Sequence, residues 1–143
     1  IDKFLGDGIL ASFGAVAASA TAAADALRAA DAVMEAADRW AAERRAGGLE
    51  GLSVGLAVSS GRVVFGAVGD DERLEFTVIG DAVNLAAKLE KHNKDEKCRG
   101  LTDARTWRLA RQQGYVPPAE REQRPGRAVA GVAEPLDLVV LAP

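Results

Sequence analysis

Asp7 stands between two glycines in IDKFLGDGILASFG, Ile1 to Gly14, with apolar runs on both sides and Lys3 four residues before it. A carboxylate held at such a point can ligate a hard divalent cation, because these ions favour oxygen donors. Taken alone, the stretch is better explained as a hairpin with a polar tip, since Asp-Gly is a favoured two-residue turn. Asn84 and Lys88, in GDAVNLAAKLE, are four residues apart and share one helix face. An amide and an ammonium so placed could grip a sugar hydroxyl and a phosphate oxygen, or could simply face water. Thr77, in EFTVIGD, is a β-branched residue that suits a strand equally well.

The elements that must position these residues can be traced from periodicity and turn signals. Ile1–Leu5 and Ile9–Phe13 read as two strands around Gly6-Asp7-Gly8. The alanine-rich run from Ala15 to Arg45 reads as a helix, ended by Gly47-Gly48. Leu52–Ser60 and Gly61–Gly69 read as a second hairpin with a Ser-Ser-Gly turn, followed by a charged, exposed connection at residues 70–73. Leu74–Gly80 is extended. Asp81–Asn93 reads as a helix with Asp81 favourable at its N-terminus, and Val83, Leu85, Ala86 and Leu89 directed at the core. A short strand at Cys98–Leu101, a Thr102-capped helix over Asp103–Gln113, a polar loop at Glu120–Gly126 and a closing strand at Leu136–Ala142 complete the chain. Hairpins with interleaved helices imply an α+β class, a mainly antiparallel sheet covered by helices, in one domain over residues 1–143.

Composition narrows the function. The 143 residues are 48% hydrophobic and 27% charged, ordinary for a soluble domain with its own core. A net charge of −3 gives no reason to expect a nucleic-acid partner. Cys98 is the only cysteine, so there is no internal disulfide, and a reducing, cytoplasmic setting is expected. Gly8–Ala24 carries no charge but is mostly small residues, too weakly apolar for a membrane span. The chain opens on Ile in strand-like sequence, so it reads as a piece of a longer protein, to which a membrane or sensory module could be attached. His92 reads as a surface residue at a helix end, Trp40 and Trp107 as helix packing residues, and Arg105, Arg108 and Arg111 as a solvated basic face.

Three long motifs occur in order: DKFLGDGILASFG, VGLAVSSGRVVFGAVG and RLEFTVIGDAVNLAAKLE, with a closing GRAVAGVAEPLDLVVL. Together they resemble the catalytic domain of class III nucleotidyl cyclases, from that family's second motif onward. The resemblance implies the ferredoxin-like cyclase fold, with the first strand and helix region apparently missing. It implies ATP as substrate, cyclised to 3′,5′-cyclic AMP and pyrophosphate by two Mg²⁺ or Mn²⁺ ions at a homodimer interface. Asp7 falls on the second metal-binding aspartate. Lys3 falls on the base-specifying lysine and Thr77 on its partner base-reading position. Asn84 falls on the ribose-orienting asparagine. Lys88 falls where an arginine usually stabilises charge on the α-phosphate, a departure, because lysine offers a point charge in place of a planar fork.

A larger departure is that no segment here matches the family's first metal aspartate. The second reading is therefore a cyclase-like module that binds nucleotide or dimerises without turnover and regulates an attached domain. A guanylyl cyclase reading conflicts with Lys3, since a lysine donor suits the acceptor N1 of adenine and not the protonated N1 of guanine.

Overall fold

Alternation along one strand organises the interior. In the closing strand, Leu138 and Val140 belong to one apolar cluster with Leu89, Leu101 and Val129. Leu141 belongs to the other, with Leu27, Ala30, Ala110 and Tyr115. Successive strand side chains point to opposite faces, so one strand serves two cores. The computed structural model describes residues 1–69 and 74–143. Its elements are β1 (Lys3–Leu5), β2 (Gly8–Leu10), α1 (Ala22–Ala46), β3 (Leu56–Val58), β4 (Val64–Gly69), β5 (Leu74–Ile79), α2 (Asp81–Glu96), β6 (Gly100–Asp103), α3 (Ala104–Gln112), β7 (Gln123–Arg127) and β8 (Leu136–Ala142).

The main sheet has the order β3-β6-β8-β7, and two separate ribbons pair β1 with β2 and β4 with β5. Among the described residues every pairing is antiparallel except β3 with β6. Helices α1 and α3 cover one face of the main sheet and α2 the other. The expected α+β class with a mainly antiparallel sheet is what forms.

Several expectations are corrected. The long helix begins at Ala22, not Ala15. Ahead of it Ser19 Oγ accepts the Thr21 N–H at 3.2 Å, and Thr21 donates to Asp25 at 2.7 Å. Such local side-chain bonds offer the backbone an alternative to the helix. The second hairpin does not form across Ser59-Ser60-Gly61. Ser60 is instead tied to α3, its N–H donating to Thr106 Oγ1 at 2.8 Å. That bond turns the chain out of the main sheet after β3, and β4 pairs with β5 along its whole length. The charged connection expected at residues 70–73 lies outside the described residues.

Toward the C-terminus, Thr102 lies within β6 and donates to Val58 O at 2.8 Å, while Asp103 caps α3 by accepting the Thr106 N–H at 3.3 Å. The expected polar loop contains β7, whose arginines reach back to α2. Trp40 is half exposed beneath the Arg44 guanidinium, 5.9 Å from its ring, and is not a packing residue. Trp107 does pack, edge-on to Tyr115 at 5.6 Å. Burial and the neighbouring Asp31 carboxylate raise the Tyr115 hydroxyl to about 12. Arg105, Arg108 and Arg111 stay exposed as expected.

His92 is the sharpest correction. It is buried in the last turns of α2, its ring nitrogens 3.1 Å from Asp95 and 3.0 Å from Glu96. Glu96 is buried with it and accepts from Arg127 Nε at 2.7 Å and Arg124 Nη1 at 3.1 Å. Burial pushes the Glu96 carboxyl up, but bonds from Arg127, Arg124 and His92 outweigh this and hold it below its ordinary value. Its ionised form therefore stabilises the fold above the ordinary carboxylate range, and that contribution is lost as pH falls through the lowered value. Glu96→Gln should cost about 3 kcal/mol at neutral pH. Its urea midpoint should also change less than the wild type's between about pH 5 and pH 3, as measured by urea denaturation across that range.

Candidate active site

The ribbon carrying Asp7 closes through Gly6 and Asp7, with Leu5 paired to Gly8. Gly6 takes φ +65, and Asp7 is not among the residues of positive φ. A glycine at the first central position is the mark of a type II′ turn, so the turn is made by Gly6-Asp7 and not by Asp7-Gly8. The consequence is an exposed Asp7 at the very tip of the ribbon. Lys3 lies at the opposite end of the ribbon, opposite Leu10.

Thr77 is buried on β5. Its hydroxyl donates to Asp2 Oδ2 at 3.1 Å, which ties β5 to the start of the other ribbon. The Asp2 backbone is held independently, its N–H donating to Leu10 O at 2.8 Å. The two base-reading candidates, Lys3 and Thr77, are thereby joined through the residue next to Lys3. Asp2 had no role in the sequence reading. The available signal was an acid directly beside the lysine in a strand.

After β5 the chain enters α2 through Gly80, with φ +158. A Cβ there would lie 2.7 Å from Arg62 O, so glycine is required for the close approach of the β4 lead-in. Asn84 follows one turn into the helix and is exposed; Lys88 is half-buried one turn later. The Lys88 ammonium donates to the Gly131 carbonyl in the loop between β7 and β8. Leu89 is fully buried, Leu85 packs against the same cluster, and Val83 and Ala86 are half-buried, close to the expected apolar face.

The structure thus ties Thr77 to Asp2, the residue next to Lys3, and sets Asn84 and Lys88 on one helix that leaves β5. It does not bring Asp7 to either pair. Among the described residues no three His, Cys, Asp or Glu side chains converge as a metal site. The chemistry of Asp7 suits a hard cation, but a single tip carboxylate does not make a two-cation site. No helix among the described residues is long and apolar enough to cross a membrane.

Gly131 is the neighbour through which Lys88 can be tested. It has φ +77, and a Cβ would stand 3.2 Å from Lys88 Cε. Gly126, in β7, has φ +63 with nothing within 4 Å of such an atom. Gly131→Ala should therefore cost more stability than Gly126→Ala, which carries only the backbone strain of about 1 kcal/mol. Chemical denaturation of both variants reads the difference, and equal losses would mean that Lys88 yields freely.

Comparison with known proteins gives the geometry a family. The profile described as the adenylate and guanylate cyclase catalytic domain matches residues 3–121. The chain is 39% identical over 95 residues to adenylate cyclase 1 of Rhizobium meliloti, covering 66% of this chain and 14% of that protein. It is 40% identical over 105 residues to an adenylate cyclase of Anabaena cylindrica, covering 71% and 20%. The chain therefore spans less than a quarter of the length of these relatives. Its fold is similar to the crystal structure of the adenylyl cyclase CyaB from P. aeruginosa, with TM-score 0.76 at 24% identity, covering 97% of this chain and 69% of that one. It is as similar to the guanylyl cyclase Cya2, with TM-score 0.75 at 24% identity, covering 97% and 67%. A fold shared so evenly by cyclases of either base leaves substrate choice to side chains, and the chain belongs to the adenylate and guanylate cyclase catalytic domain family.

Proposed function

We propose that this domain is the catalytic part of an adenylyl cyclase, converting ATP to 3′,5′-cyclic AMP and pyrophosphate. The observation that carries this reading is the Thr77–Asp2 hydrogen bond, which ties the strand of Thr77 to the residue next to Lys3. Lys3 would donate to N1 of adenine, which guanine cannot accept because its N1 carries hydrogen. The relatives named adenylate cyclase support the same base. Asn84 would orient the ribose. Lys88 would stabilise charge on the α-phosphate as the ribose 3′-oxygen attacks, with one of its three donors already held by Gly131. Asp7 would supply one carboxylate to two divalent cations, Mg²⁺ or Mn²⁺, which neutralise the triphosphate when bound. Phosphate oxygens and a further carboxylate would complete that shell.

The separation of Asp7 from the other candidates supports a homodimer, in which the tip of one chain meets the base and ribose contacts of another. Phe4, Ile9, Val64, Phe76 and Ile79 on the two ribbons are more than half exposed. Apolar surface of this kind favours a protein partner.

A regulatory module that binds nucleotide without turnover is the second reading, and Lys88 in place of arginine is what favours it. The full-length protein, assayed with Mn²⁺ and either ATP or GTP and the product identified by mass, separates the two. Cyclic AMP from ATP is expected. A folded dimer that binds ATP and makes no product would establish the regulatory module. Lys3→Glu should reduce ATP turnover, and unchanged turnover would remove Lys3 from base recognition. Lys88→Ala should lower kcat on the order of 10²-fold, as loss of one preorganised donor does.

A further inference from the structure

We propose that Asp2 is a specificity-determining residue, acting through Thr77 to make the site read adenine. The inference rests on the adenylyl cyclase reading above and deepens it. A threonine hydroxyl has one hydrogen to give and lone pairs to accept with, so by itself it cannot tell a donor from an acceptor. Here the hydrogen is committed. Thr77 Oγ1 donates to Asp2 Oδ2 at 3.1 Å, and a carboxylate oxygen can only accept. What remains at Thr77 is an acceptor.

The chemistry at the base edge follows. Adenine offers an acceptor at N1 and a donor at its 6-amino group. Guanine offers the reverse, a donor at N1 and an acceptor at O6. Lys3 as donor and Thr77 as acceptor complement adenine at both positions and oppose guanine at both. Without Asp2 the Thr77 hydroxyl could rotate and donate to O6, and half of the discrimination would go.

The surroundings of Thr77 leave room for such a partner. Thr77 is paired directly with Gly66 across the β4–β5 ribbon, and directly opposed residues share a face. At Gly66 nothing lies within 4 Å of where a Cβ would stand. The same face carries Val64 and Ile79, both exposed, as an apolar border. Open space at Gly66 beside a fixed acceptor, edged by apolar side chains, would admit a planar purine.

The Asp2 side chain can be replaced with limited risk to the fold, because its backbone N–H is bonded to Leu10 O whatever the side chain. The test is kcat/KM for ATP and for GTP in the full-length protein with Mn²⁺, for the wild type, Asp2→Ala, Thr77→Val and the double variant. Asp2→Ala should lower the ATP-to-GTP ratio by about tenfold, the scale of one base-edge hydrogen bond. In the Thr77→Val background it should lower the ratio no further. Asp2→Asn, which keeps an acceptor oxygen, should restore most of the ratio. Asp2→Ser, too short to reach the hydroxyl, carries the test if the alanine variant does not fold. A ratio unmoved by Asp2→Ala, or lowered as much in the Thr77→Val background, would overturn the role of Asp2 while leaving the adenylyl cyclase reading intact. A wild type that uses GTP as readily as ATP would overturn both.

Discussion

Helix α2 carries two of the candidate site residues, Asn84 and Lys88, and a buried carboxylate decides where it sits. Glu96 lies at the end of α2 with Arg124 and Arg127 of β7 and His92 of its own helix around it. An unpaired charge there would cost several kcal/mol, so the helix end and β7 must move together. Two turns earlier on the same helix face, Lys88 meets Gly131 in the loop that joins β7 to β8. Along the same helix, Leu85 and Leu89 pack against Val129, Leu138 and Val140. Asn84 and Lys88 thus stand on a helix fixed at its C-terminal end, at its middle and along its apolar face to one hairpin.

The hairpin is fixed in turn by the main sheet. Strand β8 is bonded on both edges, to β6 and to β7, and feeds a core on each face. Helix α1 closes the second core with alanines at positions 23, 24 and 30, small enough for close approach to the sheet and to α3. The ribbons that carry Asp7, Lys3 and Thr77 are set differently. They lie outside the main sheet, expose apolar side chains, and are joined to each other by the Thr77–Asp2 bond. A rigid α2 beside more open ribbons gives a division of labour. Asn84 and Lys88 belong to the packed part. Lys3, Asp7 and Thr77 belong to ribbons that a partner chain could bury.

Much of this was legible in the residues. Strand periodicity located β1, β2, β5 and β8, and helical periodicity with Asp81 at the start located α2. Ordered motifs placed Asp7, Lys3, Thr77, Asn84 and Lys88 in a cyclase family, which the comparisons bear out for the family. Local pattern failed where a distant group captured a local one. Ser59-Ser60-Gly61 looks like a hairpin turn, but Thr106, forty-six residues away, takes the Ser60 N–H. QRPGR looks like loop because it is polar, yet its arginines find Glu96 and its backbone finds β8. His92 looks like a surface residue because nothing beside it in sequence says that Glu96 is buried.

The sequence by itself determined which side chains are available and the local conformations that present them: a tip carboxylate in a glycine turn, a lysine four residues before it, an amide and an ammonium one helical turn apart. Those depend on near neighbours, through turn geometry and the 3.6-residue period. Only the tertiary structure decided what each of these groups faces. It gave the Thr77 hydroxyl to Asp2, the Lys88 ammonium to Gly131 and the Glu96 carboxylate to two arginines of β7. A hydrogen bond between residues far apart in the chain depends on how the intervening elements pack, and packing is a property of the whole fold.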